Sequence, residues 1–235
     1  MLLKTTALTK NYTTAGNLIT ALNAVDLAFS ENSFTCIIGK SGCGKTTLLR
    51  LLSGLEPATS GTIDYIKAAK IGVVFQEPRL MPWLTVNSNI AFAAQNDPDL
   101  PAAPSPEMLE LLGLTAFQHA YPAQLSGGMA QRTALGRTLF QNPDLILMDE
   151  PFSALDYFTR RSLQQMLLSL FQQQKKSVIF VTHDVEEALL LGQRILVIQE
   201  GVVKSDQLID MTYPRQSASL PFQQLRLQLL NAIEN

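Results

Sequence analysis

Short runs rich in β-branched and apolar residues alternate with helical patterns along most of the chain, and each run leads into a polar or glycine-rich turn. Candidate strands are Phe34-Thr35-Cys36-Ile37-Ile38, Ile71-Gly72-Val73-Val74-Phe75, Leu145-Ile146-Leu147-Met148 and Val178-Ile179-Phe180-Val181. This alternation predicts an α/β fold with a mostly parallel sheet. An amphipathic helix is expected over 157–174, where Leu163, Met166, Leu167, Leu170 and Phe171 recur at helical spacing and read as core. Residues 3–29 with 62–66 read as antiparallel strands flanking the parallel core. Between 77 and 128 the β pattern breaks at Pro78, Pro82, Pro98, Pro101, Pro104 and Pro106, leaving only short helical stretches. That predicts a small helical subdomain inserted in a single domain of 1–235. A last helix is expected over 222–233 in a C-terminal extension, 205–235, with Pro214 and Pro221 separating it from the rest.

Composition narrows the function classes. Apolar residues make up 46% of the 235, which excludes a disordered chain, and 18 basic against 20 acidic side chains give no global charge for binding nucleic acid. No uncharged apolar run approaches the roughly 18 residues that span a bilayer. Work at a membrane would therefore need docking onto a partner. The two cysteines, Cys36 and Cys43, make no disulfide framework and no metal-ligand spacing.

Gly39-Lys40-Ser41-Gly42-Cys43-Gly44-Lys45-Thr46 has the G-x-x-x-x-G-K-[ST] spacing and stands between a predicted strand and a predicted helix, the context in which such a loop cradles phosphate. Glycines let successive backbone N–H groups point at phosphate oxygens, and the following helix aims its positive end at the same place. Lys45 would neutralise the β- and γ-phosphates, and Thr46 would offer its hydroxyl to Mg²⁺. Cys43 reads either as a thiol of lowered pKa or, more simply, as a small loop residue without chemistry. Asp149 and Glu150 close an apolar strand; beside a phosphate loop, Asp149 reads as the metal-side carboxylate and Glu150 as the base that polarises the attacking water. His183 follows the strand at 178–181 and precedes a helix start in which Asp184 and Glu187 have capping-box spacing, so a γ-phosphate contact is expected at the strand-end edge where open α/β folds bind ligands. Ser126-Gly127-Gly128 opens a further helix and offers a second cradle of N–H groups, which one phosphate chain does not need from one subunit.

Leu125-Ser126-Gly127-Gly128-Met129-Ala130-Gln131-Arg132, together with Asp149-Glu150, Ser153-Ala154-Leu155-Asp156 and His183, resembles the ATP-binding-cassette (ABC) ATPases over about residues 3–204. The resemblance implies a P-loop NTPase core with an N-terminal antiparallel β subdomain. It implies ATP and Mg²⁺ as cofactors, held by a Walker A motif from Gly39 to Thr46 with Thr47 beside it. It also implies a head-to-tail homodimer in which Ser126, Gly127 and Gly128 close on the ATP of the opposite subunit. Asp156 matches an aspartate communicating across that dimer, His183 a switch histidine, and Gln76 a glutamine that senses Mg²⁺ and the attacking water. Tyr12 matches the aromatic that stacks on adenine, although a tyrosine in a strand also serves ordinary packing.

The stretch Gln76-Glu77-Pro78-Arg79-Leu80-Met81-Pro82-Trp83-Leu84-Thr85-Val86 resembles the ATPase subunits of bacterial importers of the nitrate, sulfonate, taurine, bicarbonate and thiamine-precursor group. By that resemblance the partners are integral-membrane permease subunits and, indirectly, a substrate-binding protein, with no nucleic acid. The location implied is peripheral, at the cytoplasmic face of the inner membrane. Trp83 has two readings, an anchor on the permease or packing inside the insertion. Lys40 departs from the group, which more often has proline there, and Ala130 stands where a basic or polar residue is common. An exporter subunit is the alternative, since only the stretch from Gln76 to Val86 argues for import, and a non-transport ABC ATPase is a more distant one.

Overall fold

The computed structural model describes every residue except Ala15, Lys67, Ala68, Lys175 and Asn235, the last of which ends the expected C-terminal extension. The chain forms an α/β fold that divides into two compact units, residues 1–69 with 175–235, and residues 70–174.

In the first unit, β1 (Leu3–Thr14) pairs antiparallel with both β2 (Asn17–Phe29) and β4 (Ser60–Tyr65), as the sequence predicts. A parallel set follows the order β7 (Ser177–Val181), β3 (Phe34–Ile38), β8 (Arg194–Gln199), and β9 (Val202–Leu208) pairs antiparallel with β8 at its edge. Every residue of β3 and β7 is buried, which is why both read as unbroken apolar runs rather than alternating ones. Helices α1 (Lys45–Leu52), α6 (Val185–Leu191) and α7 (Leu220–Glu234) complete this unit. Helix α7 starts at Leu220, so Pro221 lies inside its first turn instead of separating it from the chain before it. Proline is tolerated there because the first-turn N–H groups lack helical acceptors anyway. Phe222 and Leu229 are the residues of α7 that the fold buries.

In the second unit, β5 (Ile71–Val74) pairs in parallel with β6 (Leu145–Asp149), Val74 opposite Met148. Helices α2 (Val86–Ile90), α3 (Pro106–Leu111), α4 (Gly127–Phe140) and α5 (Tyr157–Gln174) surround them. An apolar cluster of Val86, Ile90, Leu109, Leu112, Leu114 and Phe140 joins α2 and α3 to the far end of α4, with Met129 and Met166 packed against it. Of the stripe on α5, Leu163, Leu167, Leu170 and Phe171 are buried, as expected of core, while Met166 is half-buried against that cluster.

Candidate nucleotide site

The expected site residues fall into two groups, one in each unit. In the first, β3 and β7 run in parallel with Ile37 opposite Val181, so the chain leaves both strands at the same edge. Two residues past that pair stand Gly39 and His183, and Thr182 N–H donates to the Ile37 carbonyl at 3.1 Å. The phosphate loop and the histidine are therefore brought to one edge of adjacent strands.

Gly44 caps α1 with φ 108°, and a Cβ there would stand 2.3 Å from the Ala21 carbonyl oxygen, so only glycine fits. At Gly42, φ 79°, an added Cβ would meet nothing within 4 Å; the loop's crest faces open space. Lys45 is buried and curls into the loop, donating to the carbonyls of Gly39 at 2.9 Å and Lys40 at 3.0 Å, with Cys43 Sγ at 3.9 Å from its Nζ. Cys43 is itself buried, a small residue filling the inside of the loop. Ser41 and Lys40 are exposed, and Lys40 Nζ donates to the Glu234 carbonyl at the end of α7, 3.3 Å away. A cation at that helix end complements its partial negative charge.

Tyr12 comes to α1, the helix that follows the loop. Its hydroxyl donates to Glu56 at 2.6 Å, the Thr47 side chain hydrogen-bonds to it, and Lys10 Nζ lies 5.1 Å from its ring centroid. Burial, then the Glu56 carboxylate, pushes the phenol up, and that hydrogen bond from Tyr12 in turn holds the Glu56 carboxyl below its usual range. His183 is exposed, just ahead of Asp184, whose carboxylate caps α6 through Glu186 N–H at 2.8 Å and Glu187 N–H at 3.2 Å. The expected capping box is altered. Thr182 Oγ1 intervenes, taking the Asp184 N–H at 3.0 Å and donating to the buried Glu187 carboxylate at 2.6 Å.

In the second unit the register repeats: Gln76 and Glu150 each stand two residues past the Val74–Met148 pair. Gln76 is exposed, Asp149 and Glu150 half-buried. Glu150 adopts the left-handed conformation, φ 43°, which an L side chain rarely takes. Ser153 holds it there, its N–H at 3.3 Å and its hydroxyl at 3.0 Å from the Glu150 carbonyl, and Gln76 Nε2 donates to that hydroxyl at 3.1 Å.

Ser126 is the N-cap of α4, accepting from Met129 N–H at 3.3 Å, so Ser126 and Gly127 stand exposed at a helix N-terminus of 14 residues. Gly128 is buried against α5, where a Cβ would stand 2.4 Å from Thr159 Cγ2. Asp156 caps α5, accepting from Phe158 N–H and Thr159 N–H at 3.1 Å each; Thr159 is the first cause that holds its carboxyl below the usual range.

The roles of four residues of this unit escaped the sequence reading, although Gln131 and Ser153 stand within motifs that it quoted. Gln131, 3% exposed on α4, donates to the Phe75 carbonyl at 3.2 Å, and Arg137 of the same helix donates to the carbonyls of Pro78 and Arg79 at 2.9 Å each. Asn89, fully buried, spans residues 81–85, accepting from Met81 N–H and donating to the carbonyls of Met81, Leu84 and Thr85. Ser153 is the fourth. Only Asn89 carried a signal, a polar residue among the apolar positions of a short helix. Trp83, at the tip of the loop that Asn89 holds, is 69% exposed and so does not pack inside the insertion.

Within the first unit, a glycine loop open at its crest, a lysine and a threonine hydroxyl suit the phosphates of a magnesium nucleotide, while the strand-end aspartate stands in the second unit. Among the described residues no group of three or more His, Cys, Asp or Glu stands ready to hold a metal. A Mg²⁺ that keeps waters and phosphate oxygens needs no such cage.

The ABC transporter family model matches residues 22–153. An ABC transporter ATP-binding protein of Methanocaldococcus jannaschii is 43% identical, over 99% of this chain and 91% of its own length. The aliphatic sulfonates import ATP-binding protein SsuB 1 of Paracoccus denitrificans is 41% identical, over 90% of this chain and 87% of its own. A solved dimeric ATP-binding cassette in a post-hydrolysis state with ADP and Pi superposes with a TM-score of 0.78 at 32% identity, covering 90% of this chain and all of that one. With that match and those relatives, this chain belongs to the ABC transporter family of ATP-binding cassette ATPases.

Proposed function

We propose that this chain is the ATP-hydrolysing subunit of an ABC importer, acting as a homodimer on integral-membrane permease subunits at the cytoplasmic face of the membrane. The observation that carries import is the identity of 39–42% to proteins named for aliphatic sulfonates import in Paracoccus, Pseudomonas and Bacillus, each over at least 90% of this chain. A sulfonate or a related small solute of the nitrate, taurine, bicarbonate or thiamine-precursor kind is the cargo this supports. Among the described residues no helix is long and apolar enough to cross a membrane. The exposed Trp83 and its clamped loop supply a rigid surface for that partner.

The residues divide the work. Backbone N–H groups of residues 39–46 and the start of α1 receive the phosphates of ATP, and Lys45 leaves its loop carbonyls to neutralise them. Thr46, Asp149 and Gln76 hold Mg²⁺, which when bound neutralises charge on the β- and γ-phosphates. Glu150 accepts the proton of the attacking water, and His183 holds the γ-phosphate. Tyr12 carries the adenine. Ser126, Gly127 and Gly128 close on the nucleotide of the opposite subunit, with Asp156 fixing the loop that faces it. Closure on two ATP drives the permease, and hydrolysis reopens the pair.

Glu150→Gln tests the core of this reading. It is expected to bind ATP with wild-type affinity and to hydrolyse it slower by at least about a hundredfold, the scale of losing a general base. Normal turnover would remove Glu150 from the chemistry. Purifying the tagged chain from gently solubilised membranes is expected to recover a multi-span permease; recovery of ribosomes or a DNA-processing complex instead would overturn transport.

A further inference from the structure

The proton inventory of one hydroxyl decides which way a catalytic amide faces. Ser153 Oγ has a single proton, and it is spent on the Glu150 carbonyl at 3.0 Å. Toward Gln76 that oxygen can only accept, so the amide must present Nε2, as it does at 3.1 Å. The amide's one acceptor, Oε1, is thereby turned away from Ser153 and kept available. Mg²⁺ takes oxygen ligands, so an amide in the opposite orientation would offer it N–H groups and be useless. The same hydroxyl also anchors the left-handed backbone of Glu150, so one side chain orients Gln76 and fixes the main chain that carries Glu150.

We propose that Ser153 is a positioning residue that sets the orientation of the Gln76 amide, presenting its oxygen to the magnesium of the bound nucleotide, and locks it to the Glu150 backbone. The proposal rests on the roles given to Gln76 and Glu150 above and adds the residue that makes Gln76 competent. The amide, hydroxyl and carbonyl form a one-way chain of donors, in which each bond polarises the next. Alanine at 153 breaks both links and frees the amide to turn over.

The test measures ATP affinity by calorimetry in the full chain carrying Glu150→Gln, once with Mg²⁺ and once with EDTA, with Ser153, Ser153→Ala or Ser153→Thr. Ser153→Ala is expected to lose about tenfold of the affinity that Mg²⁺ adds, the usual cost of removing the partner of a metal ligand, while metal-free affinity stays as it was. Ser153→Thr keeps the hydroxyl and is expected to keep the Mg²⁺ increment. Combining Ser153→Ala with Gln76→Ala is expected to cost no more of the increment than Gln76→Ala alone, since both remove one link. An undiminished Mg²⁺ increment in Ser153→Ala overturns the proposal. So does an equal loss with and without the metal, or a threonine variant that behaves like alanine. Failure of the wider reading looks different: Glu150→Gln alone would then turn over ATP normally, whatever residue stands at 153.

Discussion

The phosphate loop of residues 39–46 and the acidic loop of residues 149–156 begin alike, each leaving a parallel strand two residues past a paired position, and they are held in place by opposite means. Backbone sterics shape the first: Gly44 sits at φ 108° with no room for a Cβ, and even Lys45 bonds to carbonyls of its own loop and a neighbouring thiol. Side-chain hydrogen bonds shape the second, where Glu150 takes a strained φ of 43° because Ser153 holds its carbonyl and Gln76 holds Ser153. A loop shaped by sterics resists small losses of hydrogen bonding and fails when an atom is added. A loop shaped by hydrogen bonds fails when one is removed.

The largest effect that separates the two is expected at Gly44. Gly44→Ala forces a Cβ to 2.3 Å from the Ala21 carbonyl at a φ that alanine disfavours. It should cost about 1–3 kcal/mol of stability by backbone strain and abolish ATP binding, read by urea unfolding and nucleotide titration. Gly42→Ala is the internal control, since its Cβ meets nothing within 4 Å and only the φ of 79° penalises it. It should cost about 1–2 kcal/mol, the intrinsic price of the left-handed region. Equal effects at the two glycines would mean that φ alone, and not the close approach to Ala21, makes Gly44 obligatory.

This contrast also explains what was legible in the sequence. Gly39, Gly44, Lys45 and Thr46 declare themselves because sterics and charge restrict each position to one or two residue types at a fixed spacing. The strands β3, β6 and β7 declare themselves because burial on both faces leaves unbroken apolar runs, whereas β5, with Ile71 and Val73 half-buried, declares itself by its β-branched residues. The roles of Ser153 and Gln131 were hidden. Their partners, Gln76 and Phe75, lie 77 and 56 residues away in the chain; the first bond depends on β5 and β6 pairing with Val74 opposite Met148, the second on α4 packing against β5. Slipping that register by one residue would carry Gln76 out of reach, and no local pattern encodes the register. Pro221 misled for a different reason: proline is compatible with a helix's first turn, so it marks a boundary only to within a turn.

A medium effect should appear at Gln131, the bond from α4 that fixes the backbone just ahead of Gln76. Gln131→Leu keeps the buried volume but leaves the Phe75 carbonyl without its amide donor, at an expected cost of about 1–3 kcal/mol. Because Phe75 precedes Gln76, hydrolysis should fall while metal-free ATP affinity, a property of the phosphate loop, stays unchanged. Loss of metal-free affinity in this variant would show that the two loops do not fail separately.

The smallest effect is electrostatic and belongs to the first unit alone. Arg194 holds Asp206 in a two-bond pair, Nε to Oδ1 at 2.7 Å and Nη2 to Oδ2 at 2.6 Å, across the antiparallel β8–β9 edge. The Arg194 guanidinium keeps the Asp206 carboxyl below its usual range. A carboxyl depressed in the folded chain contributes stability that is fully present above its unfolded pKa of about 3.9 and is lost as pH falls through the lower folded value. Since the Asp206 side chain is 46% exposed, solvent screening limits the gain to below about 1 kcal/mol. Urea midpoints at neutral pH and near pH 3 should therefore converge slightly in Asp206→Asn relative to the unsubstituted chain. ATP affinity should not move, because the bonds of this pair run between the Arg194 and Asp206 side chains, while the hairpin meets the loop through its backbone, Gly201 N–H donating to the Cys43 carbonyl. A midpoint with the same acid sensitivity in both chains would mean that the pair is as strong unfolded as folded, and that the strand pairing, rather than the charge, closes this edge.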